Sequence, residues 1–238
     1  MVIATGRKLY ILFMNKLFLL ICSTLFTGML ACNSDNSAKK SDQQTEKPTI
    51  VDTAQKKKTI VFFGNSLTAG YGVDPVEAFP ALIQHTIDSL QLNYTVINAG
   101  VSGETTAGGN GRVDWILKQP VAVFVLELGG NDGLRGIPLA ETRKNLQAIM
   151  DKVKAKYPEA KILLAGMQIP PNMGTQYATE FKNIYPTLAE KNKITLIPFL
   201  LKGVGGEVKL NQQDGIHPTP EGHTIVAENV WAMLKGVL

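Results

Sequence analysis

The chain has 238 residues, of which 45% are hydrophobic and 18% are charged, as in a globular protein with a sizeable core. This length suits one large domain with a leader and argues against two full domains. Its net charge is +4, but three of the 24 basic residues lie in residues 1–31, which contain no acidic residue. The remainder carries 21 basic and 20 acidic residues, so composition gives no support for a nucleic-acid partner.

Residues 1–31 are predicted to be a lipoprotein signal peptide. A basic residue precedes an apolar run, residues 17–30, that is too short to span a bilayer comfortably. The run ends at Cys32 in a sequence that resembles the bacterial lipobox, with Met29 where leucine is usual, and Met14 is an alternative start. We therefore expect Cys32 to be diacylated and to become the new N-terminus. A plain signal peptide and an N-terminal anchor helix remain the alternatives.

The two cysteines and the polar segment behind them favour an exported, anchored protein. Cys22 would leave with the leader and Cys32 would be lipidated, so the domain would hold neither a thiol nor a disulfide, which excludes cysteine catalysis and a thiolate metal site. Residues 32–58 are polar and are predicted to form a flexible tether. Asn33 is not the Asp that some bacteria use for inner-membrane retention, which favours the outer membrane or the periplasm as the location.

Residues 59–238 are predicted to form one α/β domain. Its apolar runs are continuous, as expected for parallel strands covered on both faces, and alternate with longer helical stretches. The predicted strands are Thr59–Phe63, Thr95–Asn98, Val121–Leu128, Lys161–Ala165 and Thr195–Pro198. The predicted helices span residues 76–91, 105–118, 138–156, 175–191 and 219–236. This alternation indicates a three-layer α/β/α sandwich with a five-stranded parallel sheet.

Four polar, glycine-rich corners follow strands of this predicted sheet. They are Gly64–Gly72, Asn98–Thr106, Leu128–Asp132 and Asp214–Pro218. In open parallel sheets chemistry gathers where the strands end, so these corners are expected to meet at one rim. Each corner alone is typical of a helix cap or a turn, but the four together supply what acyl transfer needs.

The corners offer a nucleophile, a base, an orienting carboxylate and oxyanion donors. Ser66 is the predicted nucleophile, His217 its base and Asp214 the carboxylate that fixes the imidazole tautomer. The backbone N–H groups of Ser66 and Gly103 and the side-chain amide of Asn131 are the predicted oxyanion donors. Glycine at 103 would let the backbone approach the oxyanion with no Cβ in the way.

On these residues the sequence resembles the SGNH (GDSL-like) hydrolase family. GNSLTAGYG is similar to its GDSL block, and LELGGNDGLRG, MQIPPNMGTQY and DGIHP resemble the bacterial periplasmic thioesterase/lysophospholipase/arylesterase branch. The resemblance covers about residues 59–237. It implies a flavodoxin-like fold, hydrolysis through an acyl-serine intermediate, no metal and no cofactor, and the same site roles for Ser66, Gly103, Asn131, Asp214 and His217.

One position departs from the family pattern, and three other polar residues are further candidates for the site. The family usually has Asp where this chain has Asn65, which keeps an acceptor oxygen but loses the charge, so Asn65 is expected to affect the rate more than the reaction. His85 is interpreted as structural and His223 as a surface or helix-packing residue. Glu104 is interpreted as a solvated carboxylate, with substrate contact as the alternative.

The predicted substrate is a small-molecule or lipid acyl ester or thioester. Residues 167–174 and 199–201 are apolar and follow strands, so they could line an acyl groove or simply cover the core. A polysaccharide or small-molecule deacetylase of the same fold is the enzymatic alternative. A non-catalytic binding lipoprotein is the second, although every catalytic position is filled.

Overall fold

The structure, a computed structural model, describes residues 56–170 and 174–238. The predicted signal peptide, Cys32 and most of the predicted tether lie outside the described residues, as do residues 171–173 of the apolar stretch 167–174. Within the described ranges, no helix is both long enough and apolar enough to cross a membrane.

Five parallel strands form a single sheet in the order β2-β1-β3-β4-β5. They are β1 (Lys58–Gly64), β2 (Tyr94–Gly100), β3 (Val123–Glu127), β4 (Lys161–Ala165) and β5 (Thr195–Ile197). This is the flavodoxin-like order, and it confirms the predicted fold. Every residue of β3 is buried, as expected of a central strand with helices on both faces.

Five long helices match those predicted, with ends within about three residues. They are α2 (Phe79–Ser89), α3 (Thr106–Ile116), α5 (Leu139–Lys156), α6 (Thr175–Asn192) and α7 (Pro220–Leu234). Three short elements were not predicted: α1 (Ser66–Ala69), α4 (Gly130–Leu134) and the 3₁₀ turn Val208–Leu210. Segments of three to five residues are too short to show a helical repeat of apolar positions.

Adjacent phenylalanines of β1 connect the sheet to its two helical layers. Phe62 meets Phe79 of α2 edge to face, with ring centroids 5.5 Å apart, and α2 packs against α7. Successive strand residues point to opposite faces, and Phe63 accordingly lies near Gly109 of α3, which packs against α5. Both phenylalanines are fully buried, so β1 is held firmly in the middle of the core.

Because all five strands run in the same direction, their carboxyl ends lie at one edge of the sheet. The segments that contain Ser66, Gly103 and Asn131 follow β1, β2 and β3 directly at that edge. The fourth predicted corner, Asp214–Pro218, lies between the 3₁₀ turn and α7. The fold thus places the predicted site along one rim.

Candidate active site

Ser66 lies at a sharp strand-to-helix turn at the end of β1. It is the first residue of α1, and the preceding Asn65 is the helix cap, with its side-chain oxygen accepting from the Leu67 N–H at 2.9 Å. The Ser66 side chain is largely buried and lines a cavity. The turn therefore holds the Ser66 hydroxyl at a fixed position, at the carboxyl end of β1.

His217 and Asp214 reach Ser66 from a loop just before α7. His217 Nε2 lies 2.8 Å from Ser66 Oγ, and His217 Nδ1 lies 2.6 Å from Asp214 Oδ2. The other carboxylate oxygen of Asp214 accepts from the backbone N–H groups of Ile216 and His217 at 2.9 and 3.0 Å. The structure therefore brings together all three residues that were predicted to form the triad, in one continuous hydrogen-bonded chain.

The groups around Asp214 favour its ionised form beside the imidazole of His217. The backbone N–H of His217, and then its ring, lower the pKa of Asp214 to about 2. Tyr71 packs on the imidazole, with ring centroids 4.7 Å apart. Gln212 donates to the Tyr71 carbonyl at 2.7 Å and to the Pro218 carbonyl at 3.0 Å, so the loop of His217 is tied to the chain that follows α1.

The two remaining predicted oxyanion residues differ in their position. Asn131, in α4, lines the same cavity as Ser66 and His217, whereas Gly103 is exposed and does not. Gly103 has φ +78°, a left-handed conformation that favours glycine, and its carbonyl accepts from Arg135 at 3.1 Å. The Asn131 amide donates to the Glu104 carbonyl at 3.0 Å, which holds the loops after β2 and β3 side by side. An amide nitrogen has a second N–H, which remains for another acceptor.

Glu104 is not the solvated carboxylate that the sequence suggested. Only 7% of its side chain is exposed, and it forms an ion pair with Arg112 in α3, with an N–O distance of 2.6 Å to Nε. Arg112 also donates to the Ala99 carbonyl at 2.8 Å and lies over the Phe63 ring at 4.0 Å. The prediction was wrong because the first turns of α3 bring Arg112, eight positions further along the chain, back beside Glu104.

The cavity beside Ser66 has a volume of about 420 Å³ and a mainly apolar wall. Both predicted apolar stretches contribute to it. The wall includes Leu67, Leu134, Met167, Ile169, Phe199 and Leu201. Leu200, between two lining residues, is instead fully buried in the core. A cavity of this size and character is typical of sites for small apolar ligands.

Two buried titratable residues near the site were not predicted as part of it. Glu127, the last residue of β3, is 1% exposed, and burial raises its pKa to about 7. His223 in α7 is also 1% exposed, and its Nδ1 accepts from the Phe79 N–H at 3.3 Å, in line with the helix-packing interpretation. A lone acidic residue inside the apolar run Val121–Leu128 was the available signal for Glu127. His85 lies exposed on α2.

Several known proteins are similar to this chain both in sequence and in structure. The model of the GDSL-like lipase/acylhydrolase family matches residues 62–225. Esterase TesA of Pseudomonas aeruginosa is 41% identical over 182 residues, which are 76% of this chain and 90% of that protein. Thioesterase 1/protease 1/lysophospholipase L1 of Escherichia coli is 39% identical over 71% of this chain and 80% of its own length. A crystal structure of TesA superposes with a TM-score of 0.73 over 76% of this chain and all of that one.

A parallel sheet in this order, with a serine, an imidazole and a carboxylate hydrogen-bonded in series at its rim, defines a serine hydrolase of the α/β/α type. The family match and the relatives narrow this class to enzymes that act on ester bonds. The chain belongs to the GDSL-like lipase/acylhydrolase family and is a carboxylic ester hydrolase.

Proposed function

We propose that Ser66 is the nucleophile with which this enzyme hydrolyses esters or thioesters of acyl chains, through an acyl-serine intermediate. The observation that carries the proposal is the hydrogen bond of 2.8 Å between Ser66 Oγ and His217 Nε2, at the edge of an apolar cavity. That distance lies within the reach a general base needs to take the serine proton.

In the proposed first half-reaction, Ser66 Oγ attacks the carbonyl carbon while His217 Nε2 accepts the hydroxyl proton. The imidazolium is stabilised by Asp214, whose low pKa keeps it ionised near neutral pH. His217 then gives the proton to the leaving alcohol or thiol as the bond to the acyl carbon breaks. The acyl-serine and the free leaving group are the products of this half.

The second half-reaction uses the same groups with water as the nucleophile. His217 takes a proton from water as its oxygen attacks the acyl carbon, and returns it to Ser66 Oγ as the acid leaves. In both halves the oxyanion would accept from the Ser66 and Gly103 N–H groups and from the Asn131 amide. For Asn131, the free N–H beside its bond to the Glu104 carbonyl supports this role.

The lining of the cavity supports an acyl chain as the substrate portion that it holds. Met167 and Ile169 on one loop and Phe199 and Leu201 on another supply apolar surface next to Ser66. Burying apolar surface contributes about 25 cal/mol per Å² to binding, whereas an acetyl group would leave most of this wall uncovered. We therefore favour esters of medium or long acyl chains over acetylated sugars.

We also propose that the enzyme is exported and attached to the cell envelope by a lipid on Cys32. The sequence of residues 1–32 and the polar segment behind it support this. The intact mass of the detergent-extracted protein is expected to show acyl groups on the original chain and none on a Cys32→Ala variant. An original chain without acyl groups would count against lipidation.

The test of the proposed reaction is a rate profile on p-nitrophenyl esters from acetate to long acyl chains, with Ser66→Ala as the matched control. We expect a maximum at medium or long chains and a loss of several orders of magnitude in kcat in the variant. A maximum at acetate would favour the deacetylase. Equal activity in the variant would refute Ser66 as the nucleophile.

A further inference from the structure

A buried carboxylate lies directly beneath the turn that carries Ser66. One oxygen of Glu127, Oε2, accepts from the backbone N–H of Asn65 at 3.1 Å and from the Thr68 hydroxyl at 2.8 Å. The other oxygen, Oε1, accepts from the side-chain amide of Asn65 at 2.8 Å. Gly64 makes this approach possible, because a Cβ there would lie within 2.5 Å of Glu127 Oε2.

The Asn65 amide satisfies two neighbours with opposite requirements. Its nitrogen faces Glu127, which can only accept when ionised, and its oxygen faces the Leu67 N–H, which can only donate. The same oxygen lies 3.5 Å from Ser66 Oγ. A carboxylate at this position would satisfy Leu67 but, once both side chains are ionised, would place two like-charged oxygens against each other at the Glu127 side.

We propose that Glu127 is a positioning residue for the nucleophile, and that Asn65 and Glu127 are a matched donor–acceptor pair that sets the position of Ser66. Glu127 holds the residue before Ser66 through two hydrogen bonds and Thr68 through a third. This inference rests on the proposed function of Ser66 and adds to it the group that fixes its geometry.

The geometry explains why a change beneath the turn would reach the reaction. Ser66 lies between two residues bound to the same carboxylate, and its hydroxyl must meet His217 from a loop 151 positions away. A misplacement of about 1 Å in such a constellation can cost about 100-fold in rate. Neither Asn65 nor Glu127 needs to contact the substrate to have this effect.

The hydrogen-bond donors around Glu127 stabilise its ionised form, while burial raises the pKa of this carboxyl to about 7, so the form that orders the turn is populated as pH rises through 7. The three groups that point at its oxygens, two N–H groups and a hydroxyl, all donate. Tyr185 of α6 is the titratable neighbour, and burial, then Glu127, raises its pKa, which keeps it neutral. The cation Arg112, which donates to the Gly64 carbonyl, pairs with Glu104 instead.

The proposal is tested by exchanging the two side-chain types across the pair in the full chain, purified in detergent. Asn65→Asp creates two facing carboxylates, and Glu127→Gln sets an amide against donors. The double variant restores complementarity, because the amide at position 127 can donate to the carboxylate at position 65 and accept from the Asn65-position N–H and from Thr68. Asn183→Asp on the exposed surface of α6 controls for the added charge.

We expect each single variant to lower kcat 10- to 100-fold with little change in KM, and the double variant to recover to within about threefold of the original enzyme. The kcat of Asn65→Asp should also fall as pH rises from about 6 to 9, because its carboxylate pair then loses its shared proton. The double variant and Asn183→Asp should lack that fall.

The proposal is overturned if the losses of the two single variants multiply in the double variant, or if all three retain the original kcat. Circular dichroism identifies a single variant that fails to fold. In that case the double variant, which keeps the original charge, is compared with the single variant that does fold. Ser66→Ala separates the two levels: if it stays active, the proposed function fails, and if it is inactive while the exchange series has no effect, only the positioning role fails.

Discussion

His223 and Glu127 are expected to make the stability of this enzyme depend on pH in opposite directions. Burial, and then the charge of His217, lowers the pKa of His223 to about 4, against about 6.5 in an unfolded chain. Between pH 4 and 6.5 the unfolded chain therefore binds a proton at His223 that the folded chain does not bind. His223 contributes stability above pH 6.5 and loses it as pH falls through 4, a difference of about 3 kcal/mol.

Glu127 has the opposite sign. Burial raises its pKa to about 7, against about 4.5 unfolded, so the folded chain holds a proton that the unfolded one has released. Its contribution is present below pH 4.5 and is lost as pH rises through 7, again by about 3 kcal/mol. In the original protein the two effects oppose each other between pH 4.5 and 6.5, so the free energy of unfolding should change little there.

Removing either side chain should expose the pH dependence of stability that the other one causes. In His223→Asn, whose side-chain oxygen can still accept from the Phe79 N–H, the free energy of unfolding should fall by about 3 kcal/mol as pH rises from 4.5 to 7. In Glu127→Gln it should rise by about 3 kcal/mol as pH rises from 4 to 6.5. Urea unfolding followed by circular dichroism at four or five pH values measures both. Parallel curves for the three proteins would refute the reasoning, since neither group would then titrate differently on folding.

Three further substitutions test the proposed chemistry, the cavity and the ion pair. Asp214→Asn should lower kcat by about 10⁴-fold with a smaller change in KM, and a loss below tenfold would contradict its orienting role. Ile169→Trp should lower kcat/KM about tenfold for p-nitrophenyl decanoate and leave the acetate ester within a factor of two, because the cavity narrows; equal losses on both esters would mean that the acyl chain binds elsewhere. Arg112→Met should lower the free energy of unfolding by about 3 kcal/mol, since Glu104 is left buried and unpaired. Adding Glu104→Gln should recover part of that loss, and no recovery would contradict the pairing.

The sheet, the long helices and the order of the rim segments could be predicted because each has a local signal. Strand β4 was predicted with its observed ends, Lys161 and Ala165, because a charged residue and a glycine bound its apolar run. The prediction of β3 as Val121–Leu128 was too long because the apolar run continues past the last paired residue on both sides. Patterns of this kind report burial, and burial extends beyond hydrogen-bonded pairing.

The contacts beneath and beside the nucleophile could not be predicted, because they join residues far apart in the sequence. Asn65 and Glu127 are 62 positions apart, and nothing near either one marks the other as its partner. Asn65 looked like a lost charge, yet its amide is the side chain that complements a carboxylate. Glu104 looked solvated because the sequence places it in a loop, while its carboxylate is covered by Arg112.

The nucleophile and its base come from opposite ends of the domain. Ser66 follows the first strand, whereas Asp214 and His217 precede the last helix, α7. A chain that ends between residues 198 and 216 contains all five strands and Ser66 but lacks His217, so in the proposed mechanism it has no general base. Esterase activity would therefore indicate that the chain has been synthesised at least as far as His217. Under the proposed mechanism it would begin only when the loop of Asp214 and His217 has been made and lies beside Ser66, so an incomplete chain would not attack the esters around it.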